Sequence, residues 1–178
     1  MIKEVLNEIE KVLSEIDETN LENFSKNFDK SKRIYVYGAG RSFLQLKGFA
    51  MRLMHIGYDV VVVGETITPA IKEGDLLVLM SGSGETKTVL YVQNKAKSMN
   101  VKTIAVTCDS ESSLAKNVDD VLVIPGATRG GKGQKSIQLL SSLFDQSAHI
   151  VLDVLCLYIS KKDNTSNDYA KKMHSNLE

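Results

Sequence analysis

Tryptophan is absent from this chain of 178 residues, cysteine and proline occur twice each, and neither sign of charge is in excess. With no tryptophan and aromatics at 6%, the chain offers little surface on which nucleic-acid bases could stack. Lys+Arg and Asp+Glu each total 22, so no global field draws the protein to nucleic acid or to an anionic membrane. An anionic ligand would have to be held locally, by backbone amides, hydroxyls and a few placed cations. Cys108 and Cys156 make neither a disulfide framework nor a CxxC metal pair, which fits a reducing cytoplasm. The opening "MIKEVLNEIEKVL" carries glutamate throughout and has no apolar signal-peptide core. The longest apolar run, His149–Ile159, is interrupted by Asp153 and is too short to span a bilayer. The expectation is one cytoplasmic domain covering residues 1–178, without nucleic-acid or membrane partners.

What the chain does have is a change of period. Ile2, Val5, Leu6, Ile9, Val12, Leu13 and Ile16 recur at helical spacing, and a second short helix is expected over Leu21–Phe28. Five short apolar runs then read as strands: Arg33–Gly38, Asp59–Gly64, Asp75–Met80, Val101–Thr107 and Asp120–Ile124. Near-continuous hydrophobicity in such runs means burial on both faces, as in a parallel sheet covered by helices. Helical stretches alternate with them at Arg41–His55, Glu85–Met99 and, briefly, Ser112–Lys116. A long helix is predicted from about Ser136 to Ser160, and a last one near Asp168–His174. The pattern predicts a three-layer α/β/α sandwich with a five-stranded parallel sheet.

In such a sheet ligands bind beyond the carboxyl ends of the strands. Two Gly-rich turns fall there, "YGAGRS" (Tyr37–Ser42) after the first strand and "SGSGET" (Ser81–Thr86) after the third. Each leads into a helix, whose free N–H groups and dipole favour an anion such as phosphate. Glycine lets the backbone approach closely, and Ser81, Ser83 and Thr86 supply hydroxyl donors. The competing reading is a tight strand-to-helix turn with a capping serine. A dinucleotide fingerprint fits poorly, because Phe43 stands where GxGxxG needs its third glycine, and neither turn has the Walker pattern. "TRGGKGQK" (Thr128–Lys135) reads as a basic loop near the site.

Together these residues resemble the sugar isomerase (SIS) domain, and within it the 6-phospho-3-hexuloisomerase family. The resemblance rests on "YGAGRS", "FAMRLMHIGYDVVVVGE" (Phe49–Glu65), "SGSGET", "LFDQ" (Leu143–Gln146) and the ending "HSNLE" (His174–Glu178). It implies a flavodoxin-like fold and interconversion of 3-hexulose 6-phosphate with fructose 6-phosphate through a cis-enediol, without metal or organic cofactor. It also implies that Gly40, Arg41, Ser42, Ser81, Gly82, Ser83, Gly84, Glu85 and Thr86 hold the sugar phosphate. The family's glutamate proton acceptor maps onto Asp145, one methylene shorter. The implied assembly is a homotetramer, with the N-terminal helices (1–30) and the C-terminal tail (161–178) in subunit contacts. His55 ends the helix after "GAGRS", where a cation suits the helix terminus; it could equally reach a neighbouring subunit's catalytic site. His149, one turn after Asp145, could orient it or lie at the surface. His174 could cap a partner's pocket, and Cys108 reads as a small buried residue.

Overall fold

The strands form first from burial, since every residue of the third, Leu76–Met80, is buried and four of the five in Ile34–Gly38 are. In the computed structural model, which describes residues 1–177, they pair as a wholly parallel five-stranded sheet in the order β2-β1-β3-β4-β5. The elements in chain order are α1 (Ile2–Ser14), α2 (Glu18–Ser25), β1 (Ile34–Gly38), α3 (Gly40–His55), β2 (Val60–Val62) and β3 (Leu76–Met80). They continue with α4 (Lys87–Lys97), β4 (Lys102–Thr107), the 3-10 turn Ala115–Asn117, β5 (Asp120–Val123), α5 (Ser142–Lys162) and α6 (Asn167–Met173). The final residue of "HSNLE", Glu178, lies outside the described residues.

The two faces of the sheet are covered unequally. On one, α1, α2, α3 and α5 bury a large core that includes Val12, Phe28, Leu46, Phe49, Phe144 and Leu155 against Ile34, Val36, Val78 and Ile104. On the other, α4 supplies Val89 and Ala96, which pack against Tyr35, Leu77, Leu79 and Ala105. No helix joins β2 to β3. The chain recrosses β1 on this thinner side as an irregular segment, tied down where the Tyr35 hydroxyl donates to the Ala70 carbonyl at 3.0 Å. α5 is long and apolar enough, by length and composition, to cross a bilayer, but half of it is buried inside the protein. It packs on α1, α2 and α3 as a core helix does.

Several boundaries differ from the sequence reading, each for a local reason. Asp17 leaves the first helix and caps the second, accepting from the Thr19 amide at 2.8 Å. α4 begins at Lys87 rather than Glu85 because Thr86 is extended and the Glu85 carboxylate turns aside to the Ser113 amide at 2.8 Å. α5 begins at Ser142, not Ser136. Leu140 adopts φ +56, and the Ile137 amide before it donates to Glu8 of α1 instead of entering a helix.

The strand order positions a crevice. β1 leads into α3 on one face of the sheet and β3 leads into α4 on the other, so the chain diverges between their carboxyl ends. That is the switch point at which open α/β sheets bind ligands.

Candidate active site

A cavity of about 960 Å³ occupies this crevice. Its wall is made by Ala39–Ser42 after β1, by Ser81–Ser83 and Glu85–Lys87 after β3, by Thr128–Gly130 and Lys132 after β5, and by Leu139–Ser142 with Asp145. The sequence-predicted residues Gly40, Arg41, Ser42, Ser81, Gly82, Ser83, Glu85, Thr86 and Asp145 therefore converge on one space.

The β3 turn is wound on its own hydroxyls. Ser81 Oγ and Thr86 Oγ1 lie 2.8 Å apart, and the Gly84 amide donates to Ser81 Oγ at 3.2 Å. Two hydroxyls sharing one hydrogen bond leave one O–H free to donate, and the first-turn amides of α4 have no helical acceptor. Ser83 Oγ accepts from the Glu85 amide at 3.2 Å and keeps its own hydrogen to offer. Gly84 is off the wall but sets the turn, with φ +65 and Ser112 packed where a side chain would begin. The Glu85 carboxylate does not serve an anion. The Ser113 amide and hydroxyl hold it below the usual carboxylate range, so it is charged and turned away, and Glu85 contributes shape rather than a donor.

Asp145 sits in the first turn of α5, anchored where its amide donates to the Ser141 carbonyl at 2.9 Å. Its side chain is 1% exposed. Oδ1 accepts from Ser42 Oγ at 2.7 Å, whereas Oδ2 has no hydrogen-bond partner among the described residues. The nearest cation is Arg41, whose Nε lies 3.6 Å from Oδ2 while Nη1 donates to Ser142 Oγ at 2.8 Å. Burial pushes the Asp145 carboxyl up; the Ser42 hydroxyl and the Arg41 charge pull it down and do not fully offset that. The result is a carboxylate with one oxygen fixed, the other unpartnered, and a raised affinity for protons, as suits a base. Ser42 thus stands on the cavity wall with its hydroxyl hydrogen turned to Asp145.

The histidines are not at this cavity. His55 lies at the far end of α3, roughly 22 Å along the helix from Gly40 at 1.5 Å per residue. It is buried, stacked on His174 with ring centroids 5.1 Å apart, and burial, with His174 and Arg52 nearby, pushes its pKa down. Within one chain it cannot reach substrate here, so a catalytic His55 would have to serve another subunit. His149 is exposed and 3.8 Å from Asp153, pointing away from Asp145. The C-terminal tail packs on its own chain, with Tyr169 against Gly57 of the loop after α3.

The basic loop Thr128–Lys135 expected near the site does reach the wall, through Thr128, Arg129, Gly130 and Lys132, whereas sequence reasoning missed Lys87 and Ser141–Ser142. Of the chain's four arginines, Arg33, Arg41 and Arg52 pair with Asp59, Asp145 and Asp153, and Arg129 has no acidic partner among the described residues. Lys132 is engaged with Asp109. The cations left for a phosphate are Arg129, whose amide is fixed on Ser141 Oγ at 3.2 Å, and Lys87. Arg129→Ala is expected to weaken inorganic phosphate binding about tenfold, the effect of one charge-assisted hydrogen bond, as read by calorimetric titration. Unchanged affinity would remove Arg129 from the anion site.

Comparisons with known proteins agree with this geometry. Residues 27–150 match the SIS domain family. The chain is 36% identical over 179 residues to a 3-hexulose-6-phosphate isomerase of Bacillus subtilis, covering 99% of this chain and 97% of that protein. It is 35% identical over 175 residues to one of Mycobacterium gastri, covering 98% and 88%. A solved Methanococcus jannaschii protein, whose structure was described as inferring a 3-hexulose-6-phosphate isomerase function, superposes with a TM-score of 0.85 at 34% identity, covering 99% of this chain and 98% of that one.

Proposed function

The chain belongs to the SIS domain family, and on that premise we propose that it is an isomerase interconverting D-arabino-3-hexulose 6-phosphate and D-fructose 6-phosphate in the cytoplasm. The observation that carries the catalytic reading, beyond the fold, is the buried Asp145 carboxylate with one unpartnered oxygen on the wall of an anion cradle. A protein that only bound a sugar phosphate would gain nothing from such an arrangement, which costs stability unless it is used.

The reaction moves a carbonyl from C3 to C2. A base takes the proton from C2 and the C3 oxygen takes the electron pair as a cis-enediolate forms; the hydroxyl proton on the C2 oxygen passes to the C3 oxygen, and the base returns its proton to C3 as the C2 carbonyl closes. Asp145 Oδ2 is the acceptor and later the donor. Arg41 and the hydroxyls of Ser141 and Ser142 stand close enough to the carboxylate to stabilise charge on the enediol oxygens. The β3 turn and the start of α4 hold the phosphate, fixing the reacting carbons against Asp145. No cofactor is called for, because proton transfer alone completes the change.

The test is direct. The protein incubated with 3-hexulose 6-phosphate should generate fructose 6-phosphate, followed by a coupled dehydrogenase. Absence of turnover, with thermal stabilisation by hexose phosphates retained, would make it a sugar-phosphate sensor instead. In the active protein, Ser83→Ala should raise KM about tenfold with kcat little changed, the loss of one donor to a charged acceptor. A KM that does not move would take Ser83 out of the cradle.

The reading includes self-association, as a tetramer. Leu44 and Met51 on α3, and Leu157 on α5, are exposed at 64, 47 and 59%, an apolar outer surface that a second copy would cover.

A further inference from the structure

The segment Ser136–Ser141 has the composition of a helix, yet it stops short of α5, and one side chain holds it there. Glu8, in the middle of α1, accepts from the Ile137 amide at 2.8 Å with Oε1. With Oε2 it accepts from Ser136 Oγ at 2.8 Å and from Gln138 Nε2 at 3.2 Å. About two turns further along, at the end of α1, Glu15 accepts from Gln134 Nε2 at 2.6 Å. The N-terminal helix therefore grips the strap between the basic loop and α5, across more than a hundred residues of sequence.

What the strap holds is the catalytic wall. Immediately after the gripped residues the backbone reverses at Leu140, φ +56, and Ser141 then receives the Arg129 amide on its hydroxyl and the Asp145 amide on its carbonyl. Ser142, next along, receives Arg41. Were the strap released, its residues could wind onto the start of α5. That would erase the reversal and move Ser141 away from Arg129.

We propose that Glu8 is a positioning residue of the isomerase, tethering the strap so that Arg129, Arg41 and Asp145 keep their mutual placement. Burial raises the Glu8 carboxyl, but the Ile137 amide and the Ser136 and Gln138 side chains outweigh it and hold it below the usual carboxylate range. It is therefore ionised at neutral pH, as an acceptor of three donors must be. Glu8 touches no residue of the phosphate turn after β3, so the tether bears on the side of the cavity made by Arg129, Ser141, Ser142 and Asp145 and leaves that turn in place.

The inference rests on the isomerase reading for its kinetic arm, and its test separates the two. Glu8→Gln keeps the side chain's size but faces the donors with an NH2 group, so it cannot accept all three bonds. At a temperature where circular dichroism shows it folded, kcat should fall about tenfold or more, the cost of misplacing reacting groups by a fraction of an ångström. KM and the inhibition constant of inorganic phosphate should rise by no more than the roughly tenfold expected of Arg129→Ala, since Arg129 loses its Ser141 anchor while the β3 turn is untouched. Tryptic cleavage after Arg129, Lys132 and Lys135 should accelerate. The double variant Ser136→Ala/Gln138→Ala removes two donors without altering α1, and the same pattern is expected from it should Glu8→Gln fail to fold. Wild-type kcat and wild-type cleavage rates in a folded variant would overturn the tether. So would a loss of activity that follows the fraction unfolded. Should the wild-type protein not turn over the hexulose phosphate, the isomerase reading fails on its own account, while unchanged cleavage in the variants would still refute the tether.

Discussion

Asparagine at position 145 should lower kcat by about 10²–10⁴-fold, the range for removing a general base, and at the same time raise the melting temperature. The two effects share one cause. Asp145 is buried, one of its oxygens has no hydrogen-bond partner, and its carboxyl binds a proton more tightly in the folded chain than in the unfolded one. A group with a raised folded pKa adds most to stability at low pH, and that contribution is lost as pH rises from the ordinary carboxylate range through the raised value. At neutral pH the ionised group is a cost, which the neutral amide removes. Its Oδ1 can still accept from Ser42. Losing the attraction of Arg41 acts in the opposite sense, but that guanidinium is half exposed, 3.6 Å away and already bonded to Ser142. Such a pair contributes little. The checks are kcat by coupled assay, phosphate affinity by titration, expected unchanged, and calorimetric melting at pH 7. Unchanged kcat would remove Asp145 from the chemistry. A lower melting temperature would mean that the ion pair outweighs the orphaned oxygen.

The second large effect is expected at Gly84. An added Cβ there would lie 2.1 Å from Ser112 Oγ and 2.3 Å from Ser112 Cβ, on a backbone at φ +65. Ser112 cannot simply yield, because it is fully buried and its hydroxyl donates to the Asp109 carbonyl at 2.7 Å. Gly84→Ala should therefore destabilise the protein by about 2–5 kcal/mol, combining left-handed strain with overpacking. The distorted turn should raise KM more than it lowers kcat. Urea unfolding measures the first and steady-state kinetics the second. Ser112→Gly placed on the Gly84→Ala background should recover part of both, since the collision needs both side chains. An unchanged urea midpoint in Gly84→Ala would show that the turn is looser than its geometry implies.

Much of this was legible before any coordinates, because burial writes itself into short apolar runs. All five strands lie within the predicted runs, and the two Gly-rich turns picked out at the sheet's carboxyl edge do line one cavity. Less visible was everything set by long-range pairing. That Ser42 also donates to Asp145 depends on α5, about a hundred residues further along the chain. Glu85 reads as part of the cradle until Ser113 draws its carboxylate aside. The start of α5 was misjudged by six residues because "SIQLLS" has nothing in its own composition to stop a helix; the obstacle, Glu8, sits in a different helix. The basic, glycine-rich loop with Arg129 was placed near the site from sequence, but that Arg129 has no acidic partner among the described residues is a property of the folded chain. The resemblance to a known family supplied what periodicity could not, namely which carboxylate to examine.

The Ser42–Asp145 bond also constrains stereochemistry. In the proposed reaction, with Oδ1 engaged by a hydroxyl, Oδ2 is the oxygen left to carry the proton from C2 to C3. Both carbons then have to present the same side of the enediol plane to Oδ2, and the chain needs no second acid on the opposite side. The configuration of the product at C3 would then follow from the enediol face that the bound substrate turns to Oδ2.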